Sequence, residues 1–91
     1  MKITSVKVRK IFEEGPLKAV VSVTFDDCFV VHDVKVVEAS DKRFVVMPSV
    51  KTADNSYRDI AHPVGAEFRA ELTNAVLEQY EVQKAIKSSG I

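Results

Sequence analysis

The sequence predicts an α+β fold, an antiparallel β-meander of four to five strands with a C-terminal amphipathic helix packed on one face. Three observations carry this expectation. Apolar and polar residues alternate at period two through the first half of the chain. The breaks between alternating runs are short and polar, as hairpins require. After Pro63 the apolar spacing becomes helical, with Phe68, Leu72, Val76 and Tyr80 at steps of four.

Residues 2–12 read as the first strand, with Val6, Val8 and Phe12 on one face and Ser5, Lys7 and Arg9 on the other. Glu13, Glu14, Gly15 and Pro16 form a polar turn holding both breakers. Residues 17–25 form the second strand. Leu17, Ala19, Val21, Val23 and Phe25 fall on one face, against Lys18, Ser22 and Thr24 on the other. That pattern suits a sheet with one buried side. Asp26 and Asp27 mark a tight hairpin connection.

Residues 28–38 form a third strand that is apolar on both faces. Val30, His32, Val34 and Val36 lie on one, and Phe29, Val31, Asp33 and Val37 on the other. Such a strand is central, or covered on its second face. After a turn over 39–42, residues 43–47 make a short fourth strand that Pro48 ends. Residues 49–56 read as polar loop, and 56–61 as a short fifth strand. The helix is expected over 64–84, behind Pro63. Glu67 and Glu71 near its start and Lys84 and Lys87 near its end complement the macrodipole. Its apolar stripe needs a receiver, and the face bearing Val21, Val23 and Phe25 supplies one.

A chain of 91 residues makes one domain, expected over 1–87 with a frayed terminus at 88–91. Thirteen basic residues balance thirteen acidic ones. A nucleic-acid partner would therefore need a local basic patch rather than total charge. The single cysteine, Cys28, excludes an internal disulfide and a multi-cysteine metal site. It has no activating neighbour in sequence, so a buried or half-buried thiol is the expectation. No signal peptide is visible and no apolar run spans a bilayer, so the cytoplasm is the expected compartment.

No phosphate-cradling glycine loop, serine nucleophile motif or metal-ligand spacing occurs. The reading is of a protein that is not an enzyme, with no cofactor, metal or small-molecule substrate. His32 and Asp33 are adjacent in a strand and point to opposite faces, so a structural role is expected for His32. Arg58, Asp59 and His62 form either a small polar site or a set of loop anchors. As anchors, Asp59 would take backbone N–H groups, Arg58 a carboxylate and His62 a carbonyl. Dispersed cations at Lys42, Arg43, Lys51, Arg58 and Arg69 are candidates for backbone phosphate contacts, with Lys7 and Arg9 as a second strip. A solvated surface is the competing reading. The short fourth strand is apolar at Phe44, Val45, Val46 and Met47. Those four residues are the expected edge of a homodimer.

Several segments together resemble the SpoVG family, the septation or stage V sporulation protein G family of bacteria. They are MKITSVKVRKI, LKAVVSVTFDDCFVVHDVKVVE, FVVMPSVKT, YRDIAHP and AVLEQYE, and they cover residues 1–81. The MPS–KT–YRDIAHP spacing is the specific part. The sequence departs from relatives at Val64, Gly65 and Ala66, where many carry an Asn-Ser helix cap. It departs again at 53–56, where a Pro-Asp-Gly turn is usual, and at Val50, where relatives often have a further basic residue.

The resemblance implies a small cytoplasmic regulator that binds DNA and RNA, forms a homodimer, and influences septation, cell division, sporulation or related gene programmes. Carried to this chain, it puts the first nucleic-acid contacts at Lys51, Arg58 and Arg69. The alternative from another class is a protein–protein interaction module of the division machinery, with no direct nucleic-acid binding.

Overall fold

The protein is represented by a computed structural model that describes residues 1–88. Strands β1 (Ile3–Ile11), β2 (Leu17–Phe25), β3 (Phe29–Ala39) and β4 (Lys42–Val46) form one antiparallel sheet in chain order. Tight turns close the second and third hairpins of the meander. Asp26 and Asp27 have φ of 51° and 54°, and the Cys28 amide donates to the Phe25 carbonyl at 3.0 Å. Ser40 and Asp41, with φ of 52° and 65°, repeat the left-handed pair between β3 and β4. Two successive left-handed residues give the primed turn whose twist matches that of the strands. Aspartate tolerates this region better than most L-residues.

The helix α1 (Ala66–Ser88) lies across one face and touches all four strands, β1 most extensively. Leu72, Val76 and Tyr80 are buried against Ala19, Val21, Val23, Phe25, Val34 and Val36. The Phe68 ring sits 5.8 Å from that of Phe25 at the helix start. Each buried side chain of this size stabilises the packed state by about 1.5–3 kcal/mol, so the stripe accounts for the helix docking. The helix begins at Ala66, two residues after the expected Val64. The Gly65 carbonyl takes the first helical bond, from the Arg69 amide at 3.0 Å, and glycine offers no capping oxygen. The helix also runs beyond Lys84 to Ser88. The remainder of the expected frayed terminus, 89–91, lies outside the described residues.

The expected faces of β3 and the start of β2 require correction. Val31 pairs with Val23 and Val34 with Val21, leaving His32 and Asp33 together opposite Ser22. This is a β-bulge, and Asp33 takes its left-handed position with φ 63°. The extra residue flips the phase. Val31 faces the helix before the bulge, and Val34 and Val36 face it afterwards. The apparent two-faced apolarity of β3 thus comes from one face read in two phases. A second irregularity at Lys18 pairs Leu17 with Val37, away from the helix side on which Ala19 pairs with Val36.

Six strands form where four to five were expected. β5 (Ser49–Lys51) and β6 (Tyr57–Asp59) pair as a separate two-stranded sheet, so part of the expected loop at 49–56 is strand. Three residues are too few to show a period, and the pairing exists only because the chain reverses between them.

Candidate functional site

The β5–β6 hairpin leaves the body directly after the buried Pro48, and the Ile60 amide returns to the Pro48 carbonyl at 2.7 Å. Its register sets Ser49 against Asp59, Val50 against Arg58 and Lys51 against Tyr57. Cross-strand partners share a face and neighbours do not, so Lys51 and Arg58 project from opposite faces of one ribbon. Both are exposed, as are Val50 and Tyr57.

The loop of the hairpin is organised by Asp54. One of its oxygens accepts from the Ser56 hydroxyl at 2.6 Å and the Ser56 amide at 3.3 Å, and from the Thr52 hydroxyl. The Ser56 hydroxyl bond, followed by those from Thr52 and the Ser56 amide, lowers the carboxyl from 3.8 to about 2. Asn55 takes a left-handed φ of 66° inside this loop. Side-chain hydrogen bonding thus holds the loop over 52–56.

Arg58 makes no ion pair, and the Asp59 carboxylate accepts no hydrogen bond, among the described residues. Neither therefore makes the contacts that a loop anchor would need. At the helix start, the Pro63 carbonyl accepts from His62 Nδ1–H at 3.0 Å and from Arg69 Nη2–H at 3.4 Å. The exposed Arg69 is thus tied back to the segment that joins hairpin and helix.

Arg43 is held on the helix side of the sheet. Its guanidinium pairs with Glu38 at 3.5 Å and with Glu81, and lies over the Tyr80 ring. Lys42 is exposed. Strand parity puts it with Phe44 and Val46, on the face away from the helix. Among the four expected edge residues, Phe44 and Val46 are exposed, whereas Val45 packs on the core and Met47, just past the strand end, is buried. β4 is an outer strand of the sheet.

Two side chains differ from their sequence reading. Cys28 is exposed in the β2–β3 turn rather than buried. Ser22, expected on the solvated face, is 4% exposed and joins two residues. Its Oγ lies 3.2 Å from Arg9 Nε and 2.9 Å from His32 Nδ1. Alternation puts Arg9 and Ser22 on polar faces, and the pairing between strands, with bulges at Arg9 and at His32–Asp33, brings them together with His32. No helix among the described residues is long and apolar enough to cross a membrane.

A family model described as SpoVG matches residues 1–82. The chain belongs to the SpoVG family. The match spans the whole sheet, the hairpin and most of α1. Relatives carrying the SpoVG septation-protein name are similar over nearly their full length. One from Desulforudis audaxviator is 53% identical over 85 residues, 93% of this chain and 97% of the relative. One from Caldanaerobacter subterraneus is 53% identical over 89 residues, 98% of each. One from Acetivibrio thermocellus is 56% identical over 81 residues, 89% of this chain and 86% of the relative. The YRDIAHP segment that marks the family resemblance thus contains β6 and the link to the helix.

Proposed function

We propose that this SpoVG-family chain is a cytoplasmic regulator of septation and related bacterial gene programmes that binds DNA and RNA through backbone phosphates. The observation that carries the reading is the hairpin, a two-stranded ribbon standing clear of the core with Lys51 and Arg58 on its two faces. A two-stranded β-ribbon fits the major groove of a duplex, and cations on opposite faces can then meet phosphates on opposite groove walls. Arg69, at the hairpin's exit, adds a third cation, and Lys42 a fourth. Arg43 belongs to the same basic set, but its two carboxylate partners give it a structural task first.

The functional unit in this proposal is a homodimer paired through the β4 edge. An outer strand with one free side is a template for a second copy, and a two-fold axis there would present every cation twice. Net neutrality then does not prevent polyanion binding.

Salt-dependent binding tests this reading. Affinity for duplex DNA and for RNA should fall steeply with salt, by about 0.9 in log K per phosphate contact and unit log salt on a duplex. No binding at low salt would sink it.

A second reading, a protein-interaction module of the division machinery, draws on a different observation. An open apolar groove of about 410 Å³ lies between the sheet end and the helix start, lined by Phe25, Phe29, Val31, Met47, Pro63 and Phe68. Phe29 at its mouth is 61% exposed, more than an isolated chain needs to leave in water.

A further inference from the structure

We propose that the face of the four-stranded sheet opposite α1 is a bed for a single strand of nucleic acid. Its phosphates would be held by Lys7, Arg9, Lys10, Lys35 and Lys42, with one base on Phe44. The inference rests on the nucleic-acid reading above and adds a second surface, separate from the hairpin, for a different form of the ligand.

The strand register assembles the face. Lys10 pairs with Val20, Val20 with Lys35, and Lys35 with Val46, so these four cross the sheet in one row. Two strand spacings separate Lys10 from Lys35, or roughly 10 Å. Lys7 pairs with Ser22 in the next row, and Lys42 lies beyond Phe44 on β4. Arg9 is added by a bulge of its own, between the Val8–Val21 and Lys10–Val20 pairs. That insertion puts two consecutive cations on the face instead of one.

Arg9 is also built in rather than merely present. The buried Ser22 hydroxyl accepts from Arg9 Nε–H. It lies within hydrogen-bond distance of His32 Nδ1 as well, so His32 keeps Nε2 for an outside partner. Fixing Nε orients the guanidinium and leaves both terminal nitrogens, which have no other partner among the described residues, for a phosphate. None of the five cations is in an ion pair among the described residues. Asp33, at the β3 bulge, is the one acidic residue at the strand positions of this face.

Charge decides the occupant. A second copy laid face to face would set these cations against their own images, a like-charge arrangement that costs free energy. Edge pairing through β4 leaves the face open and continues it into the partner. Shape selects the strand. A four-stranded sheet is too broad to enter a duplex groove, which takes a helix or a two-stranded ribbon. Flat sheets with cations and an exposed aromatic instead suit unpaired strands, whose bases can stack. Phe44 is 47% exposed, with Val46 beside it at 38%.

The test compares K10A/K35A and K7A/R9A with the wild-type chain, using a short oligothymidylate, a short oligouridylate and a mixed-sequence duplex. Thermal melts confirm folding. Each double variant should lose at least tenfold in single-strand affinity. The salt slope should fall by about 0.7 for each contact removed, and duplex binding should be retained. F44A should weaken the single strands without changing that slope. If the wild-type chain binds single strands and both double variants bind them equally well, the sheet-face proposal is overturned while the nucleic-acid reading stands. If the wild-type chain binds neither form at low salt, both fall.

Discussion

The guanidinium carbon of Arg43 lies 5.3 Å from the centroid of the Tyr80 ring, clamping the outer strand β4 to the helix. The same guanidinium pairs with Glu38 on β3 and Glu81 on α1. One half-buried side chain thus ties three elements at the side of the core where the sheet ends.

Arg43→Ala should therefore act on stability. A half-exposed cation–π contact contributes about 0.5–1 kcal/mol, and exposed ion pairs about 0.2–1 kcal/mol. A loss of about 1–2 kcal/mol is expected in urea unfolding, with the slope unchanged. Arg43→Lys should restore only part of it, since lysine cannot pair and stack at once. An unchanged midpoint for the alanine variant would show that the clamp contributes nothing.

Lys51→Ala and Arg58→Ala should behave alike despite their opposite faces. Neither side chain has a partner to lose among the described residues, so stability should change by less than about 0.5 kcal/mol. Nucleic-acid affinity should fall by a similar factor on unrelated sequences, because a phosphate contact carries no base information. Electrophoretic shifts on several oligonucleotides check this, and a loss confined to one sequence would point to base readout instead.

Dimerisation is best tested at Val46, since Val45 packs against the helix-side core. Val45→Glu would bury a charge and lower the stability of the monomer by about 2–4 kcal/mol, whatever β4 does. Val46→Glu changes an exposed position. It should leave the monomer folded while lowering the dimer fraction in sedimentation velocity, as a carboxylate and its two-fold mate approach. A wild-type chain that sediments as a monomer at micromolar concentration would refute edge pairing.

The hairpin loop should respond to acid in a defined direction. The Asp54 carboxyl is lowered in the folded state, from 3.8 to about 2, first by the Ser56 hydroxyl and then by Thr52. A lowered carboxyl stabilises the ordered loop above its unfolded value, and the contribution is lost as pH falls from about 4 through about 2. Amide shifts of Thr52 and Ser56 should move over that window while those of the core strands stay fixed. Asp54→Ala should abolish the transition, and a Thr52 or Ser56 shift that persists in this variant would assign it elsewhere.

Much of the fold is set by local sequence. Alternation in β1 and β2, the Asp26–Asp27 and Ser40–Asp41 turns and the helical stripe from Phe68 to Tyr80 each need only neighbours in the chain to be read. They determine an antiparallel meander with a covering helix, because period and turn geometry leave little other way to bury the apolar face. The family, too, is legible in the MPS–KT–YRDIAHP spacing.

Tertiary structure decided what depends on pairing between distant strands. The extra residue at His32–Asp33 is invisible to a period-two reading, since a bulge is defined by the partner strand that it fails to match. That bulge and the one at Arg9 in β1 flank the cluster of Arg9, Ser22 and His32. β5 and β6 are each three residues long, too short for periodicity. Their register, and with it the opposed directions of Lys51 and Arg58, follows from a reversal held by Asp54. Arg43 reads as a solvent-facing cation beside Lys42. The stagger of β4 against α1 turns it onto Tyr80 and Glu81, because a helix spanning the sheet brings together residues that are far apart in the chain.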